Sequence, residues 1–219
     1  MSSRPKQPEP RPAPRLYLVT PPVSDTQVFS GLLTAAMAAG DVAAVLLRLA
    51  EADERTQINH AKALAAIVQG KDAALLLDGH AELVARAGAD GVHATGIDVF
   101  SDAIAQLKPQ RIVGVGGLTT RHDAMTAAEN SADYIMFGEP DTAGERPSFE
   151  AIEERIGWWA EVFEAPCIAF AASMDEVAPL VKAGADFIAL GDWLWHDPQA
   201  AAATVAHAAE QMRVPESTP

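Results

Sequence analysis

The apolar residues of this chain gather in short unbroken runs, and between those runs they recur every three to four positions. The runs are Arg15-Leu16-Tyr17-Leu18-Val19-Thr20, Val42 to Leu49, Ala73-Ala74-Leu75-Leu76-Leu77, Gly91-Val92-His93, Arg111-Ile112-Val113-Gly114-Val115, Tyr134-Ile135-Met136-Phe137, Cys167 to Phe170 and Phe187 to Leu190. A run that does not alternate with polar residues predicts a strand buried on both faces, as in a parallel sheet. The spaced pattern predicts helices. Asp25 to Ala39 places Phe29, Leu32, Leu33 and Ala36 on one face; Asp53 to Gln69 takes its cap from the Asp53 or Thr56 region and closes at Gly70. Further helices are expected at His80 to Ala87, Ser101 to Leu107, Thr120 to Asn130 with Thr120 as N-cap, Phe149 to Phe163, Met174 to Ala183 and Gln199 to Met212.

One corner is restated along the chain: Ala39-Gly40-Asp41-Val42, Ala87-Gly88-Ala89-Asp90-Gly91-Val92-His93, Ser131-Ala132-Asp133-Tyr134-Ile135 and Ala183-Gly184-Ala185-Asp186-Phe187-Ile188. A helix ends at a small residue, often the Gly that suits a left-handed C-cap, and an Asp then turns the chain into an apolar strand. A single copy is no more than a good turn. Several copies, each followed by a strand, mark a β/α repeat. About eight strands alternating with about eight helices predict an α/β fold, a parallel eight-stranded (β/α)₈ TIM barrel, with a doubly wound open sheet as the alternative. Residues 15–212 are expected to form this one domain, between a Pro-rich disordered tail at 1–14 and a polar tail at 213–219. In such a barrel the chemistry belongs to the loops that follow each strand.

Composition narrows the partners. The chain has 219 residues, a length that suits one barrel. Its formal charge of −14 argues against nucleic acid or an anionic membrane surface, and an anionic substrate would need a local basic pocket. The single cysteine, Cys167, excludes an intramolecular disulfide, and its apolar neighbours read as a buried strand thiol. The polar, Pro-rich N-terminus has no apolar signal-peptide core and the apolar runs fall far short of a membrane span, so a cytoplasmic location is expected.

The runs Leu75-Leu76-Leu77-Asp78-Gly79-His80, Gly88-Ala89-Asp90-Gly91-Val92-His93, Gly114-Val115 and Ala132-Asp133-Tyr134-Ile135-Met136-Phe137-Gly138 resemble thiamine phosphate synthase and its thiazole tautomerase relatives, over about Leu16 to Leu194. The resemblance implies a transferase that joins an aminopyrimidine diphosphate to a thiazole phosphate and releases pyrophosphate with help from Mg²⁺. Its ligands would be phosphorylated heterocycles. It implies a pyrophosphate-binding cation at Arg48, in Leu46-Leu47-Arg48-Leu49-Ala50, where the family's flanking Gln and Lys are missing. It also implies metal carboxylates at Asp78, one position earlier than the family's ligand, and at Asp98. A turn residue and a helix-start residue are the plainer readings of those two. The family's Gly-x-Ser after the fifth strand becomes Gly114-Val115-Gly116, without the hydroxyl, and Leu118 stands where the tautomerase branch carries a His. Counted without gaps, the family's Thr-x-Thr-Lys loop falls on Ala143, Glu145 and Arg146, so Arg146 takes the place of the Lys charge. The Gly-Gly-Ile turn whose backbone N–H groups close on the thiazole phosphate is Ala171-Ala172-Ser173, and a small Ser after the eighth strand is Asp192.

These departures predict a retained barrel with a largely rewritten anion-gripping rim, because each lost charge-assisted contact is worth roughly 1.5–3 kcal/mol. The binding candidates are Arg48, Arg146, Gly116 and Gly117, the last two as a phosphate cradle or simply a tight turn. The metal candidates are Asp78 and Asp98. His93 is expected to line the barrel or pack at its rim, and Asp53-Glu54, Glu150, Glu153-Glu154, Glu161 and Glu164 to be solvated helix faces. Trp158-Trp159 and Trp193-x-Trp195 suit core or homo-oligomer packing first and a ring-stacking site second. Three functions stay open: a synthase-type transferase with a degenerate site, a non-catalytic binder of a thiamine-related or other heterocycle, and different chemistry on the same barrel.

Overall fold

The computed structural model describes residues 12–213, so most of both expected tails lies outside the described residues. Eight strands alternate with eight helices: β1 (Arg15–Val19), α1 (Thr26–Ala38), β2 (Val42–Leu47), α2 (Glu54–Gln69), β3 (Ala74–Asp78), α3 (Val84–Ala87), β4 (Gly91–Thr95), α4 (Ile97–Leu107), β5 (Ile112–Gly116), α5 (Arg121–Glu129), β6 (Tyr134–Phe137), α6 (Phe149–Val162), β7 (Cys167–Ala171), α7 (Val177–Ala183), β8 (Phe187–Leu190) and α8 (Ala201–Gln211). The strands pair in sequence order and all in parallel, and β1 closes on β8 with Leu16 opposite Ile188 and Leu18 opposite Leu190. That closure establishes the (β/α)₈ barrel and removes the open-sheet alternative.

The unbroken apolar runs have a simple cause. Tyr17, Val19, Leu46, Leu76, Met136, Ile168 and Phe170 fill the barrel interior, while Leu16, Leu18, Leu47, Leu75 and Leu77 pack outward against the helices. Successive side chains therefore enter two different cores, and neither strand face meets water. Two glycines of β5 are set by close approach. A Cβ on Gly114 would lie 1.9 Å from the Tyr134 ring, and one on Gly116 would lie 2.1 Å from a Glu139 carboxylate oxygen.

The repeated corner works as a clamp on the preceding strand. The Asp90 carboxylate accepts from Leu75 N–H at 2.8 Å while its own N–H donates to Leu75 O at 2.8 Å. Asp133 does the same to Val113 and Asp186 to Cys167, with the carboxylates accepting at 2.7 and 2.8 Å. In the first copy the Asp41 carboxylate instead holds the Arg15 guanidinium, at 2.8 and 2.9 Å. The left-handed turn expected before these corners occurs at Gly88 (φ +71°) and Gly184 (φ +101°), and Ser131 adopts it in the third (φ +68°).

The helix caps follow the sequence closely. Asp25 accepts from Gln27 and Val28 N–H, Asp53 from Thr56, Thr120 from Asp123 and Ser148 from Ala151. Some boundaries move. Helix α4 begins four residues before the expected Ser101, because Phe100 joins Ala103 and Leu107 on its buried face. That burial outweighs the modest helix preference of β-branched Ile97 and Val99. The expected helices at His80 to Ala87 and Met174 to Ala183 each divide into a 3₁₀ turn and a short α-helix. Trp159 and Trp195 lie in the core, donating to Ala165 O at 2.7 Å and Val19 O at 2.8 Å. Among the described residues no helix is long and apolar enough to cross a membrane.

Candidate functional site

The C-terminal strand ends carry ionisable side chains to one rim, and those side chains have paired with one another. Arg48, just after β2, donates from Nε to Asp78 Oδ2 at the end of β3 across 3.1 Å, and each side chain is 28% exposed. Its backbone N–H donates to the buried Thr20 hydroxyl at 3.0 Å, which fixes the exit of β2. The expected pyrophosphate cation and the expected metal carboxylate are thus brought together as one pair. A half-solvated pair of this kind is worth only about 0–1 kcal/mol, so an incoming diphosphate can compete for the guanidinium.

Asp98 stands exposed in the first turn of α4, and among the described residues no group of three or more His, Cys, Asp or Glu converges. The donor chemistry still suits Mg²⁺, which takes one or two carboxylates and completes its shell with phosphate oxygens and water. Two carboxylates, one of them paired with Arg48, do not make a metal centre complete in protein ligands.

Arg146, in the loop between β6 and α6, is bound on every side. Its Nε donates to Gly138 O at 2.6 Å, one terminal nitrogen donates to Phe170 O, and both terminal nitrogens grip Glu176 at 3.0 and 2.7 Å. Glu176 also accepts from Ala172 N–H at 2.8 Å, so the turn after β7 spends its amide on a carboxylate of the chain itself. Asp192 lies exposed in the 3₁₀ turn after β8.

A buried polar column rises through the barrel below this rim. The Tyr17 and Tyr134 hydroxyls are 3.0 Å apart, Tyr134 Oη is 2.9 Å from His93 Nδ1, and His93 Nε2 is 3.0 Å from both Glu139 oxygens. Burial works against charging His93, but the Glu139 carboxylate outweighs it through its charge and its hydrogen bond, and the imidazole pKa lies above its ordinary value. Burial pushes both tyrosine hydroxyls up, so they remain neutral donors. An imidazolium at His93 then donates from Nε2 to Glu139 and from Nδ1 to Tyr134, which donates onward to Tyr17. His93 lines the barrel as expected, but Glu139 is a residue that sequence reasoning did not single out. Its position directly after a barrel strand was the available signal.

Glu139 and Arg146 line a cavity of about 220 Å³ at the mouth, together with Gly117, Leu118, Met136 and Arg155. Gly116, expected at an anion cradle, is covered by the Glu139 carboxylate, and Leu118 is buried. Gly117 reaches the cavity in a left-handed conformation, φ +60°. The cavity is lined by the carboxylates of Glu139, Asp141 and Glu145 and by the guanidinium groups of Arg146 and Arg155.

Fold and mouth together define the class: a single (β/α)₈ barrel with a small pocket between the loops that follow β5 and β6. Residues 16–193 match the family described as thiamine monophosphate synthase. Thiamine-phosphate synthase of Rhodospirillum centenum is 42% identical over 202 residues, covering 91% of this chain and 98% of that protein. The Hyphomonas neptunium thiamine-phosphate synthase is 37% identical, covering 90% and 93%. This chain belongs to the thiamine monophosphate synthase family. Among solved structures, thiamine phosphate pyrophosphorylase from Pyrococcus furiosus has a TM-score of 0.72 at 20% identity, covering 91% of this chain and 97% of its own. The 3-hexulose-6-phosphate synthase of Salmonella typhimurium reaches 0.66 at 16% identity, covering 91% and 100%. These last two are likenesses of fold alone.

Proposed function

We propose that this chain acts in thiamine biosynthesis as a synthase-type transferase that couples an aminopyrimidine diphosphate to a thiazole phosphate. The C–O bond to the diphosphate breaks and its electron pair leaves with pyrophosphate. The thiazole nitrogen lone pair forms the new C–N bond, and the ring becomes a thiazolium cation. The observation that carries this reading is family membership across 16–193 on a barrel that retains Arg48 at its rim. Arg48 exchanges Asp78 for the leaving diphosphate. Asp78 and Asp98 would hold Mg²⁺, which would supply charge neutralisation for the leaving diphosphate. The carboxylates of Asp141 and Glu145 at the pocket favour the positive charge that appears on the methylene carbon and then on the thiazolium.

Pyrophosphate release from the purified protein with both precursors and Mg²⁺ tests the proposal. Arg48→Ala should raise the donor KM by roughly 10- to 100-fold, the cost of a charge-assisted contact worth about 1.5–3 kcal/mol. No pyrophosphate release by the wild-type protein would reject the reading. A second reading, non-catalytic binding of a thiamine-related heterocycle, draws support from Arg48 and Arg146 both being already paired with carboxylates. It predicts a thermal shift with thiamine and no pyrophosphate.

A further inference from the structure

A second cavity, of about 390 Å³, lies at the opposite end of the barrel from the mouth. Its wall takes in the first residues of five strands: Arg15 of β1, Ala74 of β3, Ile112 of β5, Tyr134 of β6 and Phe187 of β8. Barrel interiors are ordinarily filled by layers of bulky branched side chains. Here β2 and β3 turn the alanines Ala44 and Ala74 inward, and Ala74, Ile112 and Phe187 stay only half-buried. The charged residues of the lining are already engaged. Arg15 holds Asp41 at 2.8 and 2.9 Å, and Asp133 accepts from Lys108 at 2.5 Å and from Val113 N–H at 2.7 Å. The Tyr17 and Tyr134 rings line the same space while their hydroxyls belong to the polar column.

We propose that this N-terminal cavity is a second binding site, for an uncharged molecule of one or two apolar rings. Its volume falls within the roughly 300–1,000 Å³ of small-molecule pockets. A bound ring takes the remaining exposed surface of Ala74, Ile112 and Phe187 out of water and lies against the tyrosine rings. It enters without breaking an ion pair. A carboxylate on the ligand would find Arg15 already neutralised by Asp41, Asp133 at the edge, and a chain of net charge −14. That balance makes the class uncharged. The strands surround the space, so it admits a small molecule and no folded partner. The site is independent of the transfer chemistry, which belongs to the other end of the strands.

Both tyrosines of the chain line this cavity, so NMR of the full chain with ¹³C-labelled tyrosine rings reads it directly. Titration with 2-naphthol should move the Tyr17 and Tyr134 ring resonances along one saturable curve. Ala44→Leu, which fills the space from β2, should weaken that binding by roughly tenfold or more. Ala74→Leu, on the half-buried wall of β3, should do the same and serves where the first variant fails to fold. 2-Naphthoate, the same rings with a carboxylate, should bind roughly tenfold more weakly than 2-naphthol or worse. No saturable shift up to the solubility limit overturns the inference, as does equal affinity in wild type and the cavity-filled variants. Equal or tighter binding of the naphthoate overturns the uncharged class. Pyrophosphate release plays no part in this readout, so failure of the transferase reading leaves the outcome undisturbed.

Discussion

His93 and Glu139 face each other where neither would be stable alone. The imidazole is 1% exposed and the carboxylate 6%, and an isolated charge at that depth would be expelled or neutralised. Together with Tyr134 they satisfy one another, and no buried side-chain polar atom among the described residues lacks a partner. Removing one member leaves the other exposed to the full desolvation penalty, so Glu139→Gln should destabilise the fold by about 3–5 kcal/mol near pH 6 in urea unfolding. The direction with pH follows from the raised His93 pKa. Stability from this contact is fully present below the unfolded value of about 6.5 and is lost as pH rises through the folded value. Wild-type unfolding free energy should therefore decline over that window, and the Glu139→Gln profile should be flatter. An equally steep profile in the variant would show that His93 draws no charge stabilisation from Glu139. At this scale the sequence was half legible. His93 could be placed from its strand, but a Glu after Gly138 looks locally like any loop acid. What marks it is Gly116 on the neighbouring strand β5, whose missing side chain leaves the carboxylate its space.

The strands and helices were largely readable because both faces of every strand are buried, which forces continuous apolar runs. The repeated Asp was readable as a turn residue, but its reach to the neighbouring strand is a tertiary fact. That difference has measurable consequences. Asp186→Ala removes the carboxylate that accepts from Cys167 N–H, and should cost about 1–3 kcal/mol in thermal or denaturant unfolding. Asp41→Ala breaks only a pair whose side chains are 42% and 72% exposed, and should cost about 1 kcal/mol or less. Equal losses in the two variants would contradict the clamp. The boundaries that moved, at α4 and at the two 3₁₀-led helices, are those decided by which residue reaches the core, and local preference is silent on that.

Across the whole molecule the formal charge of −14 is expressed at the mouth as well as on the outer helices. Residue types at the rim could be read in advance, including Arg48, Asp78, Asp98 and Arg146. Their partners could not, because Arg48 and Asp78 are thirty positions apart, as are Arg146 and Glu176, and no local pattern encodes such pairings. The outcome is a family barrel whose rim arginines Arg48 and Arg146 are answered by carboxylates from within the chain. Mass spectrometry of the reaction mixture tests the proposed transfer most directly, with wild-type protein supplied with the aminopyrimidine diphosphate, Mg²⁺ and the thiazole phosphate. The expected result is a product carrying both rings, formed one for one with pyrophosphate. Unchanged precursors at any protein concentration would contradict it.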